Sequence, residues 1–267
     1  MKTEYNLQDI CNQVINVAKK AGAFIKGERK NFTIDRVEVK SMNNLVSYVD
    51  KEAEKIIVEN LMPLIENAGF ITEEETIHQD KKEFNWVIDP LDGTTNFIHN
   101  IPCYAVSIAL LKGNEILVGV VYEINMNECF YAWKNGGAYM NGEKIEVSKT
   151  PVLAQTLLAT GFPYYDYRRL ANYMGLFNDL MQSTRGVRRL GSAATDLVYT
   201  ACGRFDAFYE YSLHIWDVAA GILIVLEAGG KVNDFKGGNN YLSGKELCAS
   251  NGLIHNELLK KIGIYFK

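Results

Sequence analysis

Cysteine is scarce and unpatterned in this chain of 267 residues: Cys11, Cys103, Cys129, Cys202 and Cys248 are the five present. An odd number without Cys-x-x-Cys spacing excludes a disulfide framework and a zinc knuckle. Buried reduced thiols of a cytoplasmic protein are the simple reading. Long hydrophobic runs are also missing. The longest, Val218 to Leu226, has nine residues, far short of the ~20 that span a bilayer, so no membrane partner is expected. The N-terminal Met1-Lys2-Thr3-Glu4-Tyr5-Asn6 carries an acid and no apolar segment, and no secretory leader is expected there. Positive charge is not in excess. Lys and Arg number 28 against 32 Asp and Glu, a formal net charge of −4. Nucleic-acid binders are usually basic, so no nucleic acid is expected as a partner.

What is present is ordinary globular composition. Hydrophobic residues make up 48% and charged residues 22%, which excludes disorder, collagen and coiled coil. The length suits one large domain or two small ones packed together. Apolar residues at helical spacing predict a helix over 6–27 and a second over about 50–68, the latter preceded by a loose capping box at Ser47 to Asp50. Between them, 31–40 reads as a strand pair or an irregular strand.

The stretch 84–139 carries β-branched and aromatic runs at Trp86–Asp89, Ala105–Leu111, Ile116–Tyr122 and Cys129–Trp133. Asn141-Gly142 is a hairpin signal between 138–140 and 144–147. Beyond 150 the rhythm changes. Helical patterns at about 167–183, 192–203, 215–229 and 254–263 alternate with candidate strands at 157–160, 207–209, 231–234 and 247–250. That is an α/β signature. The change divides the chain into 1–150 and 151–267, with a junction at Ser148-Lys149-Thr150-Pro151.

The chemistry concentrates in Trp86-Val87-Ile88-Asp89-Pro90-Leu91-Asp92-Gly93-Thr94-Thr95-Asn96-Phe97. A hydrophobic strand delivers Asp89 to its C-terminal tip, and Pro90 fixes φ so that the chain turns at once. Asp89 and Asp92 then face one point. Gly93 permits close backbone approach, and Thr94-Thr95-Asn96 has the composition of a helix start, whose free N–H groups attract an anion. Carboxylates beside such a start would repel the anion unless a divalent cation lay between them. Hard oxygen ligands of this kind suit Mg²⁺.

Two further acidic segments join the set. Glu73-Glu74-Glu75 follows the short apolar strand Phe70-Ile71-Thr72, and Asp217 opens the very apolar helix that begins Ile215-Trp216. Taken alone, the first is a solvated acidic turn and the second a helix-start carboxylate.

At these residues the sequence resembles the inositol monophosphatase family of Mg²⁺-dependent, lithium-sensitive phosphatases, over nearly the whole chain. Asp89-Pro90-Leu91-Asp92-Gly93-Thr94-Thr95-Asn96-Phe97 looks like its first signature, and Trp216-Asp217-Val218-Ala219-Ala220-Gly221 like its second. Six fixed residues of the first would coincide by chance about once in 10⁸ positions.

The resemblance implies metal ligation by Glu73, Asp89, the Leu91 carbonyl, Asp92 and Asp217, with two or three Mg²⁺ ions. It implies catalytic roles for Glu73, Glu74, Asp89 and Thr94 around a metal-activated water. Gly93, Thr94 and Thr95 would meet the phosphate. Gly191, Ser192, Ala193 and Glu210, with Asp217, would meet the substrate's hydroxyl-bearing part. The segment from Lys40 to Asp50 resembles the family's mobile loop, but Asn44 stands where the family has an acid and Ser47 where it has threonine.

The implied fold is α/β (α+β), a five-layer α-β-α-β-α sandwich with two subdomains. The implied enzyme is a phosphoric monoester hydrolase and a homodimer, acting on a small phosphorylated polyol, sugar or nucleotide. Thr94-Thr95-Asn96-Phe97 resembles the branch that hydrolyses inositol 1-phosphate. NADP or fructose 1,6-bisphosphate is the alternative substrate, and a non-enzymatic binding module the rival class. The four histidines, His78, His99, His214 and His255, form no His-x-x-x-His pair. The aromatic and basic stretches 162–169 and 185–189 are candidates for contacting an adenine or a second phosphate.

Overall fold

Helix α1 (Leu7–Glu28) forms where apolar residues recur every three or four positions, and Ile10, Val14, Ala18, Ala21 and Ile25 are all buried. The Asn6 side chain caps it, accepting from the backbone N–H groups of Gln8 and Asp9. The computed structural model describes residues 5–33, 37–41, 44–77, 81–164 and 166–267. Of the segments singled out in the sequence, 34–36, 42–43, His78 and Tyr165 lie outside the described residues, as does the side chain of Asn44.

A short antiparallel hairpin, β1 (Val37–Ser41) with β2 (Asn44–Ser47), leads into α2 (Tyr48–Leu61). The expected strand pair thus exists, shifted toward the helix. Ser47 and Asp50 make the capping box reciprocally. Helix α2 is shorter than the expected 50–68. Pro63 has no N–H to continue the ladder, and the chain turns until Asn67 adopts φ 57°. Ile65 and Ala68 still reach the core from this turn.

The larger sheet holds β3 (Gly69–Thr72), β4 (Phe84–Asp92), β5 (Ala105–Lys112), β6 (Glu115–Glu123), β7 (Glu128–Trp133), β8 (Gly137–Met140) and β9 (Glu143–Ile145), in that spatial order. Only β3 and β4 run parallel, and the other pairs are antiparallel. Asn141 and Gly142 both have positive φ, 50° and 95°, the conformation a two-residue hairpin turn requires.

Both faces of this sheet are buried. Trp86, Ile88, Val106, Ile108, Leu110 and Val120 pack against α1 and α2. The alternate residues Val87, Ala105, Ala109 and Val121 face the other way, as the two-residue period of a strand dictates.

The smaller sheet contains β10 (Leu157–Thr160), β11 (Gly186–Arg188), β12 (Ala207–Tyr211), β13 (Lys231–Asn233) and β14 (Glu246–Ser250), in the order β11-β10-β12-β14-β13. The sequence pattern did not mark β11, which is three residues long at the sheet edge. The remaining helices are α3 (Thr94–Ile98), α4 (Leu170–Ser183), α5 (Ala193–Ala201), α6 (Ile215–Glu227) and α7 (His255–Tyr265).

Helices α5 and α6 share one core with the inner faces of both sheets, through Leu197, Val198, Ile222 and Ile224. Helices α4 and α7 cover the outer face of the smaller sheet through Tyr173, Leu176, Leu258 and Ile262. The layers therefore run α1/α2, large sheet, α5/α6, small sheet, α4/α7. The five-layer expectation holds.

The small residues of the second signature have a packing reason. A Cβ at Gly119 of β6 would lie 2.7 Å from the Ala220 carbonyl oxygen, and one at Gly221 would lie 2.6 Å from Leu197 Cβ. Helix α6 can sit between β6 and α5 only with side chains this small. Its first turn is thereby carried to the C-terminal end of β4.

Candidate active site

Strand β4 pairs with β5 in regular register up to Asp89 opposite Ser107, then slips, so that Asp92 stands opposite Ala105. The slip is a bulge at Pro90 and Leu91. Contrary to the expectation from the sequence, Asp89 is not the strand's tip, and the chain does not turn at Pro90 but runs on to Asp92 and turns at Gly93. The bulge leaves Asp89 almost wholly buried, at 2% exposure, with Oδ1 accepting from Leu91 N at 2.9 Å. Gly93 takes φ 96°, and a Cβ there would fall 2.9 Å from Cys103 O and 3.3 Å from Gly191 O. Only glycine fits a left-handed position pressed between two loops.

Helix α3 starts at once and is one turn long. Asn96 within it donates to Cys103 O at 2.7 Å and to Leu190 O at 2.8 Å. This residue ties the first signature to the loop before α5, a bracing role beyond the helix start expected of it.

Three other elements converge on the same cavity. From β3, Glu73 follows the last strand residue, and its N–H donates to Ile88 O at 3.2 Å. From α5, Ser192 Oγ and Ala194 N donate to Asp92 Oδ2 at 2.6 and 2.7 Å. From α6, Asp217 Oδ2 accepts from His214 N at 2.7 Å. Ser107 Oγ of β5 donates to Trp216 O at 3.2 Å and ties that helix start to the large sheet.

The resulting cavity, of about 110 Å³, is lined by Glu73, Asp89, Leu91, Asp92, Gly93, Thr94, Thr95, Gly191, Ser192, Ala193, Glu210 and Asp217. Every candidate residue from the sequence is in that wall except Glu74. Glu74 borders the larger groove outside instead. Its backbone N–H points inward and donates to Glu54.

The acids in the cavity hold their protons well above the usual carboxylate range. Burial is the first cause for Glu73, Asp89 and Asp217 alike. Mutual repulsion adds to it: Asp217 acts on Glu73, Glu73 and Asp92 on Asp89, and Asp92 on Asp217. Asp92 rises less, to about 6, although burial again dominates. The hydrogen bonds from Ser192 and from the α5 N-terminus favour its ionised form. Glu210 rises to about 8, through burial that Arg189 opposes and Asp92 reinforces.

This donor set fits hard divalent cations. Among the described residues no three acidic, histidine or cysteine side chains close on one point. The carboxylates are spread along the wall, and the Leu91 carbonyl joins them. Mg²⁺ takes only a few carboxylates per ion and completes its octahedron with water and substrate phosphate. Mutually repelling carboxylates gathered in one cavity are what such ions would neutralise.

Three residues were not assigned a site role by sequence reasoning. Asp50 is fully buried. It accepts from Ser47 N and Oγ at 2.8 and 2.7 Å, and also from Thr94 Oγ1 at 3.0 Å. Thr94 Oγ1 also lies 3.0 Å from Leu91 O, so this one hydroxyl joins α2, β4 and α3. Glu54, one turn further along α2, is buried and accepts from Glu74 N, Thr76 N and Thr76 Oγ1 at 2.8, 2.8 and 2.7 Å. Asp196 lines the cavity from α5 with Oδ1 buried and unpartnered. A signal existed for the first two: both acids fall on the stripe of α2 that holds Ala53, Ile57 and Leu61.

Of the basic stretch, Arg189 lines the cavity. Its guanidinium is flanked by Phe162 and Tyr164, each ring 5.4 Å away, and it donates to the Tyr164 hydroxyl. Arg188 is exposed and, among the described residues, bonds its neighbour's carbonyl, Val187 O.

Known proteins are similar to this chain over nearly their full length. The pattern of the inositol monophosphatase family matches residues 6–265. An inositol-1-monophosphatase of Mesorhizobium japonicum is 38% identical over 257 residues, covering 95% of this chain and 96% of its own. The Nus factor SuhB of Escherichia coli is 40% identical, covering 95% of each chain. Among solved structures, an inositol monophosphatase from Anabaena superposes with a TM-score of 0.87 at 34% identity, over 98% of both chains. The extragenic suppressor protein SuhB of Bartonella henselae gives 0.89 at 38% identity, over 95% of this chain and 98% of that one. With the family pattern matched over residues 6–265 and relatives covered almost end to end, this chain belongs to the inositol monophosphatase family, a family of generally metal-dependent phosphatases.

Proposed function

We propose that this protein is a Mg²⁺-dependent phosphomonoesterase that hydrolyses inositol 1-phosphate to inositol and phosphate. The observation that carries the reading is the convergence of Glu73, Asp89, Asp92, Asp217 and the Leu91 carbonyl on one cavity beside Gly93 and Thr94. Glu73, Asp89 and Leu91 O would hold one ion, and Asp89, Asp92 and Asp217 a second. A third, weaker site near Glu73 is the family's pattern. Bound there, the ions supply a nucleophilic water at neutral pH and offset charge on the leaving oxygen.

The chain's own groups do the rest. Hydrolysis adds water across the ester bond: a P–O bond forms to the water oxygen, the ester P–O bond breaks, and a proton ends on the alcohol. The Thr94 hydroxyl donates to Asp50, so its own lone pair faces the cavity and can hold the water by one proton. Asp50 is raised above the usual carboxylate range, first by burial. That makes it a better acceptor for a proton relayed through Thr94. Glu73 is the other acid placed at the water, with Glu74 outside it.

The N–H groups of Gly93, Thr94 and Thr95 orient the phosphate oxygens. Glu210 and the 191–193 segment receive the hydroxyls of the polyol. Glu210 lies under Gly161, where a Cβ would sit 2.0 Å from Glu210 Oε2. That glycine is thus the space the carboxyl occupies.

The names of several relatives favour a second reading. The Escherichia coli and Pasteurella multocida proteins are called Nus factors, and a role of that kind could rest on a surface rather than on the cavity. A protein working by surface alone has no need of four mutually repelling carboxylates in one cavity, and all four are present here. One assay separates the readings. Purified protein is tested with inositol 1-phosphate, NADP, fructose 1,6-bisphosphate and 3′-phosphoadenosine 5′-phosphate, with and without Mg²⁺ and with lithium. Mg²⁺-dependent, lithium-inhibited release from inositol 1-phosphate supports the proposal. Release from none of the four favours the binding protein.

A further inference from the structure

Asp196 lines the cavity yet stands outside both proposed ion sites. It is 1% exposed, and its Oδ1 is buried without a hydrogen-bond partner among the described residues. Capping of α5 does not account for it. Ser192 already caps that helix, its Oγ accepting from Thr195 N at 3.2 Å. The same Ser192 Oγ donates to Asp92 at 2.6 Å, and residues four apart share a helix face. Asp196 is thus set one turn behind the residue that grips Asp92. Buried polar atoms are normally paired, so the free oxygen points to a partner that the protein itself does not supply.

The surroundings define the chemistry of that partner. Arg189 and Glu210 line the same cavity, and neither they nor Asp196 border the outer groove. The three therefore bound the cavity away from the rim of Glu73, Ser212, His214 and Trp216 that it shares with the groove. The Arg189 guanidinium is fixed by the rings of Phe162 and Tyr164, and its Nε is also buried and unpartnered. Glu210 is 6% exposed and packs under Gly161. Two acids against one cation leave no excess positive charge for a second anionic group. Hydroxyls suit the place better, because each both donates and accepts. Burial first, then Glu210 and Asp92, hold the Asp196 carboxyl well above the usual carboxylate range, with Arg189 opposing. A carboxyl that keeps its proton offers an acceptor and a donor side by side. The cavity volume of about 110 Å³ restricts the occupant to a compact group.

We propose that Asp196 is a specificity-determining contact for the leaving group, hydrogen-bonding a hydroxyl of a compact, uncharged polyol in the part of the cavity framed by Arg189 and Glu210. The inference rests on the phosphatase reading and deepens it. The released alcohol is recognised by its hydroxyls from two elements, Glu210 on β12 and Asp196 on α5. A phosphomonoester without hydroxyls leaves the Asp196 oxygen unpaired and gains nothing from it.

The test compares steady-state hydrolysis of inositol 1-phosphate and of cyclohexyl phosphate, the same ring without hydroxyls, at saturating Mg²⁺. The proteins are wild type, Asp196→Leu, which keeps the volume alone, and Asp196→Asn, which keeps an acceptor and a donor. Wild type should prefer inositol 1-phosphate. In Asp196→Leu the ratio of kcat/KM for the two substrates should fall about tenfold, through a higher KM for inositol 1-phosphate, the loss of one hydrogen bond. In Asp196→Asn it should stay within about threefold of wild type, because the hydrogen-bonding groups remain. If Asp196→Leu does not fold, Asp196→Ala takes its place with the same expectation. A ratio unchanged in the apolar variant, or lowered as far in Asp196→Asn, overturns the contact and leaves the phosphatase reading standing. If wild type hydrolyses neither substrate, the phosphatase reading fails. The contact is then judged by calorimetric titration with inositol 1-phosphate: binding weakened in the apolar variant and kept in Asp196→Asn supports it, and any other pattern, absent binding included, removes it.

Discussion

The backbone N–H of Glu74 donates to Glu54 Oε2 at 2.8 Å, and through this bond helix α2 holds the turn that presents Glu73. Glu54 accepts two more hydrogen bonds, from Thr76 N and Oγ1, so one buried carboxylate fixes the turn at three points. Asp50, four residues earlier, does the same for Thr94. Residues i and i+4 share a helix face, and this face braces two of the loops that meet at the cavity.

Glu54→Gln keeps the size of the side chain but replaces one acceptor with a donor facing an N–H. The Mg²⁺ concentration for half-maximal activity should rise about tenfold, with kcat at saturating Mg²⁺ within a few-fold of wild type. Stability should fall by roughly 1–3 kcal/mol, the usual cost of a lost hydrogen bond to a buried charge. A Mg²⁺ titration of activity and a urea melt check both. A stability loss without any change in Mg²⁺ dependence would make Glu54 purely structural.

Thr94→Val removes the hydroxyl that joins Asp50 to the cavity while keeping the volume. At saturating Mg²⁺, kcat should drop about 10²–10⁴-fold, the range for a lost proton-transfer partner. Thr94→Ser should stay within tenfold of wild type, and Asp50→Asn should resemble Thr94→Val. Equal losses for Val and Ser would point to packing instead.

Glu210 gives a pH signature. Burial raises its folded pKa to about 8, above the usual glutamate value of about 4.5. The folded state therefore binds the proton more tightly than the unfolded one. Glu210 costs no stability below about pH 4.5, costs progressively more as pH rises toward 8, and carries the full cost above that. Glu210→Gln should be more stable than wild type at pH 8–9 and indistinguishable near pH 4. Thermal melts of the metal-free proteins across that range read this directly. A difference that does not vary with pH would contradict it.

Gly119→Ala tests the layer packing. Its Cβ would meet the Ala220 backbone at 2.7 Å, and backbone atoms cannot swing aside. A loss of about 1–3 kcal/mol is expected from overpacking, measured as a shift in urea midpoint. No shift would mean that α6 can move off β6 freely.

Much of this was legible before any coordinates. The hydrophobic periods placed α1, the central strands and α6. Asp89-Pro90-Leu91-Asp92-Gly93 announced a break in the strand, but the proline makes only a bulge and the turn comes three residues later, at Gly93. The end of α2 at Leu61 was missed because the apolar pattern runs on through Leu64, Ile65 and Ala68, while Pro63 stops the hydrogen-bond ladder. Strand β11 was missed because three residues at a sheet edge, half exposed, carry no period. Asp50, Glu54 and Asn96 escaped because their partners lie 20 to 94 residues away, a pairing that no local pattern encodes. Glu74 was expected at the cavity from the family resemblance alone. The turn after β3 sends Glu73 inward and Glu74 to the groove.

Asp89→Asn is the most direct test of the central claim. Asp89 is nearly fully buried and repelled by its neighbours, so removing its charge should leave the metal-free protein at least as stable. The amide oxygen can still accept from Leu91 N. The account predicts a folded protein, with wild-type or higher Tm without metal, no stabilisation by added Mg²⁺, and Mg²⁺-dependent phosphate release from inositol 1-phosphate reduced at least 10³-fold, the order expected when an electrostatic element of the reaction is removed. Near-normal Mg²⁺-dependent turnover by that variant would contradict it.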